Sequence, residues 1–218
     1  ERPKTTALLF GSYVDAWFEG TLDAFKAENP EIFKKDGTLK ADYIQAEKII
    51  ERVSRDKLFM QYMAGRKQRI FTAKLFGANW KIKVDSWHKD KLVDLKCMRT
   101  LEPIMGQNFI THWGYDIQAA VYQAVEGKSK PFYIAAATKE EPTDLEVIYI
   151  PQYAMYNALS YVARKIPRFI AVKKGDVKPE RCGGCAYCRM TKVLTAPIDM
   201  EEVGYTEKQL REMKAESY

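Results

Sequence analysis

The chain has no apolar run approaching the roughly 18 to 20 residues that a helical membrane span requires, so a spanning helix is excluded from the reading. Internal repeats and low-complexity segments are also missing, which sets aside solenoid and fibrous architectures. Cysteine is sparse: there are four in 218 residues, none precedes Cys97, and three fall between Cys182 and Cys188. That is no disulfide framework for a chain of this size, and it points to a reducing, cytoplasmic compartment. No secretory leader is read in the first residues. Because the first residue is Glu1 and not Met, a preceding segment is expected, and a targeting signal within it stays open. What remains is a composition of 46% hydrophobic and 29% charged residues, that of a soluble globular protein with one core and room for an appendage. A net charge of +6 leans mildly toward polyanionic partners.

The most informative stretch is Lys81–Thr100. Residues 82–87 and 92–97 both alternate apolar and polar, with a polar turn at His88–Lys91, the pattern of a half-buried antiparallel hairpin. A turn centred on Lys89–Asp90 sets Ile82 opposite Cys97, Val84 opposite Leu95 and Ser86 opposite Val93, giving one mostly apolar face. On the other face Asp85 opposes Asp94, and Lys83 opposes Lys96. Like charges directly across a ladder destabilise it. A divalent cation between the carboxylates removes that penalty, since hard ions take oxygen ligands. Lys96, two residues beyond Asp94, returns an ammonium to the same face. The bland alternative is a solvated strand face of mixed charge; the apolar reverse side and the in-register Asp85 favour a catalytic centre.

Around the hairpin, helices are expected at Thr5–Gly20, Ala41–Tyr62, Thr111–Glu126 and Pro151–Ile166, and residues 21–40 read as connection. Strands are expected at Ile70–Phe76, Phe132–Thr138 and Glu146–Ile150. Gly11 in the first helix suggests close approach of another backbone, and Asp15, on the same face, is either a hydrogen-bonded core acid or a third acidic ligand. Glu47 and Glu51 read as a solvated helix face. Tyr115, Gln118 and Tyr122 share a stripe that either packs with wet hydroxyls or reaches the acidic site. The element order indicates an α/β fold, a mixed central β-sheet flanked by helices, with residues 1–170 as core and 171–218 as a cysteine-containing C-terminal extension of the same domain. A short final helix is expected to open at Thr206, with Glu207 in its first turn.

Asp85, Asp94-Leu95-Lys96 and Gln118-Ala-Ala-Val-Tyr122, preceded by Gly11-Ser-Tyr-Val-Asp15, resemble the PD-(D/E)xK nuclease superfamily, and most of all its RecB/RecE-like phage exonucleases. The resemblance implies a restriction-endonuclease-like core and a nuclease using one or two Mg²⁺ (or Mn²⁺) ions. Such an enzyme degrades one strand of linear double-stranded DNA, commonly 5′ to 3′, as a ring-shaped homo-oligomer in the bacterial host cytoplasm. The exposed 3′ strand passes to a phage single-strand annealing protein. Asp15 stands where many members carry histidine, which leaves the number of metal ions open. On this reading Asp15, Asp85, Asp94 and the Leu95 carbonyl hold metal. Lys96 orients or helps deprotonate the attacking water, and Gln118 and Tyr122 position the phosphate and hold Lys96. Basic clustering nominates Arg66, Lys67, Arg69, Arg99, Arg164, Lys165 and Arg168 for phosphate contacts. A sequence- or structure-specific endonuclease of the same superfamily is the rival within enzymes, and a non-catalytic nucleic-acid-binding module with a cysteine metal site is the rival outside them.

Cys182, Cys185 and Cys188 have metal-binding spacing. Related nucleases place an iron–sulfur cluster near this end, but it needs four thiolates. Cys97 is expected on the apolar core face. His88 is the candidate to complete a zinc site instead. With that ligand count, reduced thiols in a basic loop are the expectation, ahead of zinc or a cluster.

Overall fold

The computed structural model describes residues 4–205, 209, 210 and 213, so the helix expected at Thr206 and Glu207 lies outside the described residues. The chain divides into two compact units, Glu1–Pro167 and Arg168–Tyr218.

The first unit begins with helix α1 (Thr6–Glu19). The Thr5 hydroxyl accepts the Leu8 amide at 3.2 Å, satisfying one of the helix's open donors, and Gly20 ends it at φ +73°. The expected close approach at Gly11 is not there, because a side chain at that position would meet nothing within 4 Å. The segment read as connection contains helix α2 (Leu22–Glu28), a short element with no side-chain cap. The helix expected over Ala41–Tyr62 is two, α3 (Ala41–Ser54) and α4 (Lys57–Met63), because the Asp56 carboxylate accepts the Phe59 amide at 2.8 Å and starts a new helix. Glu47 is not merely solvated: it accepts from Tyr13 and, at 3.0 Å, from Lys26, tying α3 to α1 and α2. Glu51 keeps to an exposed pair with Arg55.

The sheet consists of β1 (Arg66–Leu75), β2 (Ala78–Trp87), β3 (Leu92–Met98), β4 (Phe132–Thr138) and β5 (Leu145–Ile150), in that spatial order. The basic run at Arg66–Arg69 is therefore part of the first strand and does not precede it. Only β3 and β4 pair in parallel. A parallel pair needs a crossover, and this one carries α5 (Phe109–Trp113) and α6 (Tyr115–Glu126). Gly114, at φ +68°, separates these two where a single helix was expected. Helix α7 (Gln152–Lys174) has Pro167 inside it.

Alternation along β4 shows how the sheet serves two cores. Ala135 and Ala137 pack with α1, α3 and α4, around Tyr13, Ile49 and Phe59; Phe132, Ile134 and Ala136 pack with α6 and α7, around Ala119, Val125 and Met155. Each large apolar side chain sealed this way contributes roughly 1.5–3 kcal/mol. Strand β2 does not keep a single face. Ile82, Val84 and Trp87 join the α6/α7 core, whereas the Ser86 hydroxyl donates to Tyr62 O and accepts from Gly65 N, both at 2.9 Å, on the α4 side. The alternation therefore breaks at Asp85. The β1–β2 register skips the same position, and Gln68 opposite it has φ +52°. The expected apolar face through Ile82, Val84, Leu95 and Cys97 is thus split, since Leu95 and Cys97 pack toward α1 and α3.

Candidate functional site

The hairpin register read from the sequence holds at its closed end, where Ser86 pairs with Val93 and Trp87 with Leu92. The turn closes through His88 N donating to Lys91 O at 3.0 Å. Beyond Ser86 the backbone pairing of β2 with β3 stops. There the Asp85 carboxylate takes the place of a backbone carbonyl and accepts the Leu95 amide at 2.9 Å. The gap opens between the two layers of helices. Asp15 on α1 and Gln118 on α6 both reach the region of Asp94, although they belong to opposite sides of the sheet.

Asp94 is 2% exposed. Its Oδ1 accepts from Gln118 Nε2 at 2.6 Å, and its Oδ2 pairs with the Lys96 ammonium. Burial, and then the Asp85 charge, raise the Asp94 carboxyl well above the usual carboxylate range. Asp15 is pushed up to about 7 by burial first and then by Asp85 and Asp94. Lys96 is raised despite burial, which alone would lower it, because Asp94 and Asp85 hold its proton. Its ammonium sits 4.9 Å from the centre of the Tyr115 ring, and the Tyr115 hydroxyl donates to Met98 Sδ at 3.3 Å. Tyr122 hydrogen-bonds with Gln118, feels the charges of Asp94, Asp85 and Lys96, and lies edge-on against Phe132. Cys97, close enough to Asp15 to feel its charge, is pushed up to about 12, chiefly by burial.

Asp15, Asp85 and Asp94 are the oxygen donors that a hard divalent cation takes, although their oxygens do not all lie within 4.8 Å of one another in this structure. A lysine offsets part of their charge. Lys67 Nζ is buried with no hydrogen-bond partner, 5.4 Å from the Phe18 ring centre, and burial lowers its affinity for a proton while Asp85, Glu19 and Asp15 restore part of it. Its ammonium therefore belongs with the acidic cluster as much as with any DNA surface. Glu19, one turn after Asp15, was missed in the sequence although an i, i+4 pair on one helix face was the available signal. Ser12, Asp15, Glu19 and Lys83 line one side of a cleft of about 530 Å³ between α1 and α2.

The other nominated cations are spread out. Arg66 and Arg69 stack over Trp87 at 5.8 and 5.1 Å. Arg99 lies exposed just past β3, and Arg164 and Lys165 are exposed on α7. Arg168, in the second unit, pairs with Glu180 at 3.0 Å. His88, considered as a zinc ligand, has its Nε2 within 2.7 Å of Tyr62 O and 3.1 Å of Ser86 Oγ, so that nitrogen is engaged. Among the described residues, the group whose ligand atoms all lie within 4.8 Å of one another is Cys182, Cys185 and Cys188.

Residues 1–191 match the family described as PDDEXK-like domain of unknown function, DUF3799. The chain belongs to that family. The resemblance to the PD-(D/E)xK nuclease superfamily is thereby shown. A crystal structure of a "Putative exonuclease" from Eubacterium rectale shares 46% identity with this PDDEXK-like chain and a TM-score of 0.85. The likeness covers 94% of this chain and 81% of that one. A second solved structure, SSO0001, has 14% identity and a TM-score of 0.36 over 87% of this chain and 82% of its own, too distant to carry an argument. No curated protein matches.

Proposed function

We propose that this PDDEXK-like protein is a divalent-metal-dependent exonuclease that digests one strand of linear double-stranded DNA from its ends. The observation that carries the reading is the β3 segment itself. It sets Asp94 and Lys96 side by side, with Asp85 locked onto the Leu95 amide between them. The likeness to the Eubacterium rectale protein supports action at ends.

Asp15, Asp85 and Asp94 would hold the cation, Mg²⁺ or Mn²⁺, with the Leu95 carbonyl. When bound, such an ion supplies Lewis-acid polarisation of the scissile phosphate and offsets charge on the leaving oxygen. Lys96 orients the attacking water and balances negative charge accumulating on the phosphate. Gln118 fixes the rotation of the Asp94 carboxylate, and the Tyr115 ring limits where the Lys96 ammonium can go. Lys67 lowers the cost of gathering Asp15, Glu19 and Asp85. The finer parts of the proposal are 5′ to 3′ polarity, delivery of a 3′ strand to a single-strand annealing protein in phage recombination, a ring-shaped homo-oligomer and a cytoplasmic setting. No helix among the described residues is long and apolar enough to cross a membrane.

The test is incubation of linear duplex DNA with Mg²⁺, each end labelled in turn, beside a covalently closed circle. Loss of the linear substrate with early release of the 5′ label and an intact circle is the expected result. Cutting of the circle would replace this reading with an endonuclease.

A further inference from the structure

The second unit carries a cluster that the hydrolytic reading does not use. Cys182, Cys185 and Cys188 have their sulfur atoms within 4.8 Å of one another, and Cys182 Sγ lies 3.8 Å from Cys188 Sγ. Disulfide-bonded sulfurs are about 2.05 Å apart, so this is not a bonded pair. Two thiolates on one tetrahedral zinc, each about 2.3 Å from the ion, stand about 3.8 Å apart. The observed separation is the edge of that tetrahedron.

The backbone agrees with the sulfurs. The Cys185 amide donates to Cys182 Sγ at 3.3 Å, and the Cys188 amide donates to Cys185 Sγ at 3.4 Å. Amides aimed at sulfur stabilise the thiolate, which is the form that binds metal. Cys182 and Cys185 are exposed and Cys188 is buried, so the cluster has one sealed side and one side facing solvent. The same segment is closed from outside the cluster by Arg181, whose guanidinium donates to Cys188 O at 3.0 Å and to Thr191 Oγ1 at 2.6 Å. Helix α8 (Ala186–Met190) follows Cys185 directly, with the Cys185 sulfur capping it at the Cys188 amide.

An iron–sulfur cluster makes a different demand. In a [4Fe–4S] cluster each thiolate binds a separate iron, which spaces the sulfurs more widely than a single ion does. Three sulfurs within 4.8 Å of one another, one pair at 3.8 Å, fit a single ion better. Among the described residues no fourth histidine, cysteine or carboxylate joins them.

We propose that Cys182, Cys185 and Cys188 bind a single zinc ion as thiolates, and that the ion holds residues 181–191 in their observed form. Binding releases the thiol protons and involves no redox change. The inference does not depend on the nuclease reading, since its readouts are metal content and spectrum.

The full chain is expressed with zinc and iron both supplied, purified, and its zinc, iron and inorganic sulfide are measured. Zinc at one per chain, falling to background in Cys185→Ser and retained in Cys97→Ala, is the expected result. As a second readout, Co²⁺ exchanged into the wild-type chain should give intense visible absorption with sulfur-to-metal charge transfer. Iron with matching sulfide, a wild-type chain that takes up no stoichiometric zinc, or undiminished zinc in Cys185→Ser would each overturn the proposal.

Discussion

Two groups of chemistry-bearing side chains, the thiols of residues 182–188 and the carboxylates around Asp94, are built in opposite ways. The thiols come from one seven-residue stretch and are held by amides of that same stretch. The carboxylates come from a helix and two strands, at positions 15, 85 and 94, and are held by everything those elements pack against. A local cluster can order around its ion, whereas a dispersed one must be ordered by the fold before any ion arrives. The dispersed site therefore bears a standing electrostatic cost. Asp15 and Asp94 sit above their usual range, and the lysines nearby do not fully compensate.

Breaking the dispersed site should leave the fold intact and abolish the chemistry. Asp94→Asn keeps the shape of the side chain while removing its charge. It should reduce digestion of linear duplex by about 1,000-fold or more, with an unchanged circular dichroism spectrum and loss of saturable Mn²⁺ binding. An Asp94→Asn protein that still binds Mn²⁺ as the wild type does would separate the carboxylates from the metal.

The electrostatic cost makes stability depend on pH in a definite direction. Asp15 holds its proton to about pH 7 in the folded chain, against an ordinary value of 3.8, so folding takes up a proton between those limits. Metal-free stability should fall as pH rises from about 4 to 7 and level off above, by at most about 4 kcal/mol for this group. Mg²⁺ or Mn²⁺, binding the ionised carboxylates, should restore more stability at pH 8 than at pH 5. Denaturant melts at the two pH values, with and without the cation, measure this; a stability that rises with pH in the chelated protein would contradict it.

Smaller effects sharpen the picture. Gln118→Ala frees the Asp94 carboxylate to rotate and should lower activity or metal affinity by about 10- to 100-fold without abolishing either. Arg99→Ala, at an exposed nominated contact, should leave turnover near wild type and reduce the salt slope of DNA binding by about 1.

Much of this was legible in the sequence, for reasons that differ along the chain. The alternation of 82–87 and 92–97 gave the hairpin and its register at Ser86–Val93, because period-two burial is a local property. What alternation cannot encode is the switch at Asp85. That depends on Gln68 adopting positive φ across the ladder, and a glutamine carries no signal for it. The division of α3 from α4 was marked by Asp56, a helix-starting residue hidden inside an apolar periodicity that runs through it. Tyr115 was on the expected stripe, but which of its members covers Lys96 is set by the bend at Gly114. Asp15 was visible only as an anomaly, an acid on an apolar helix. The strand gap that admits it is a tertiary feature.

If Asp94 and Lys96, side by side on β3, act together on DNA, neither suffices alone. The most direct test is single-turnover digestion of end-labelled linear duplex by Lys96→Ala and by the wild type, at saturating Mg²⁺. The account expects the variant to bind DNA and leave it intact; digestion by Lys96→Ala at the wild-type rate would contradict it.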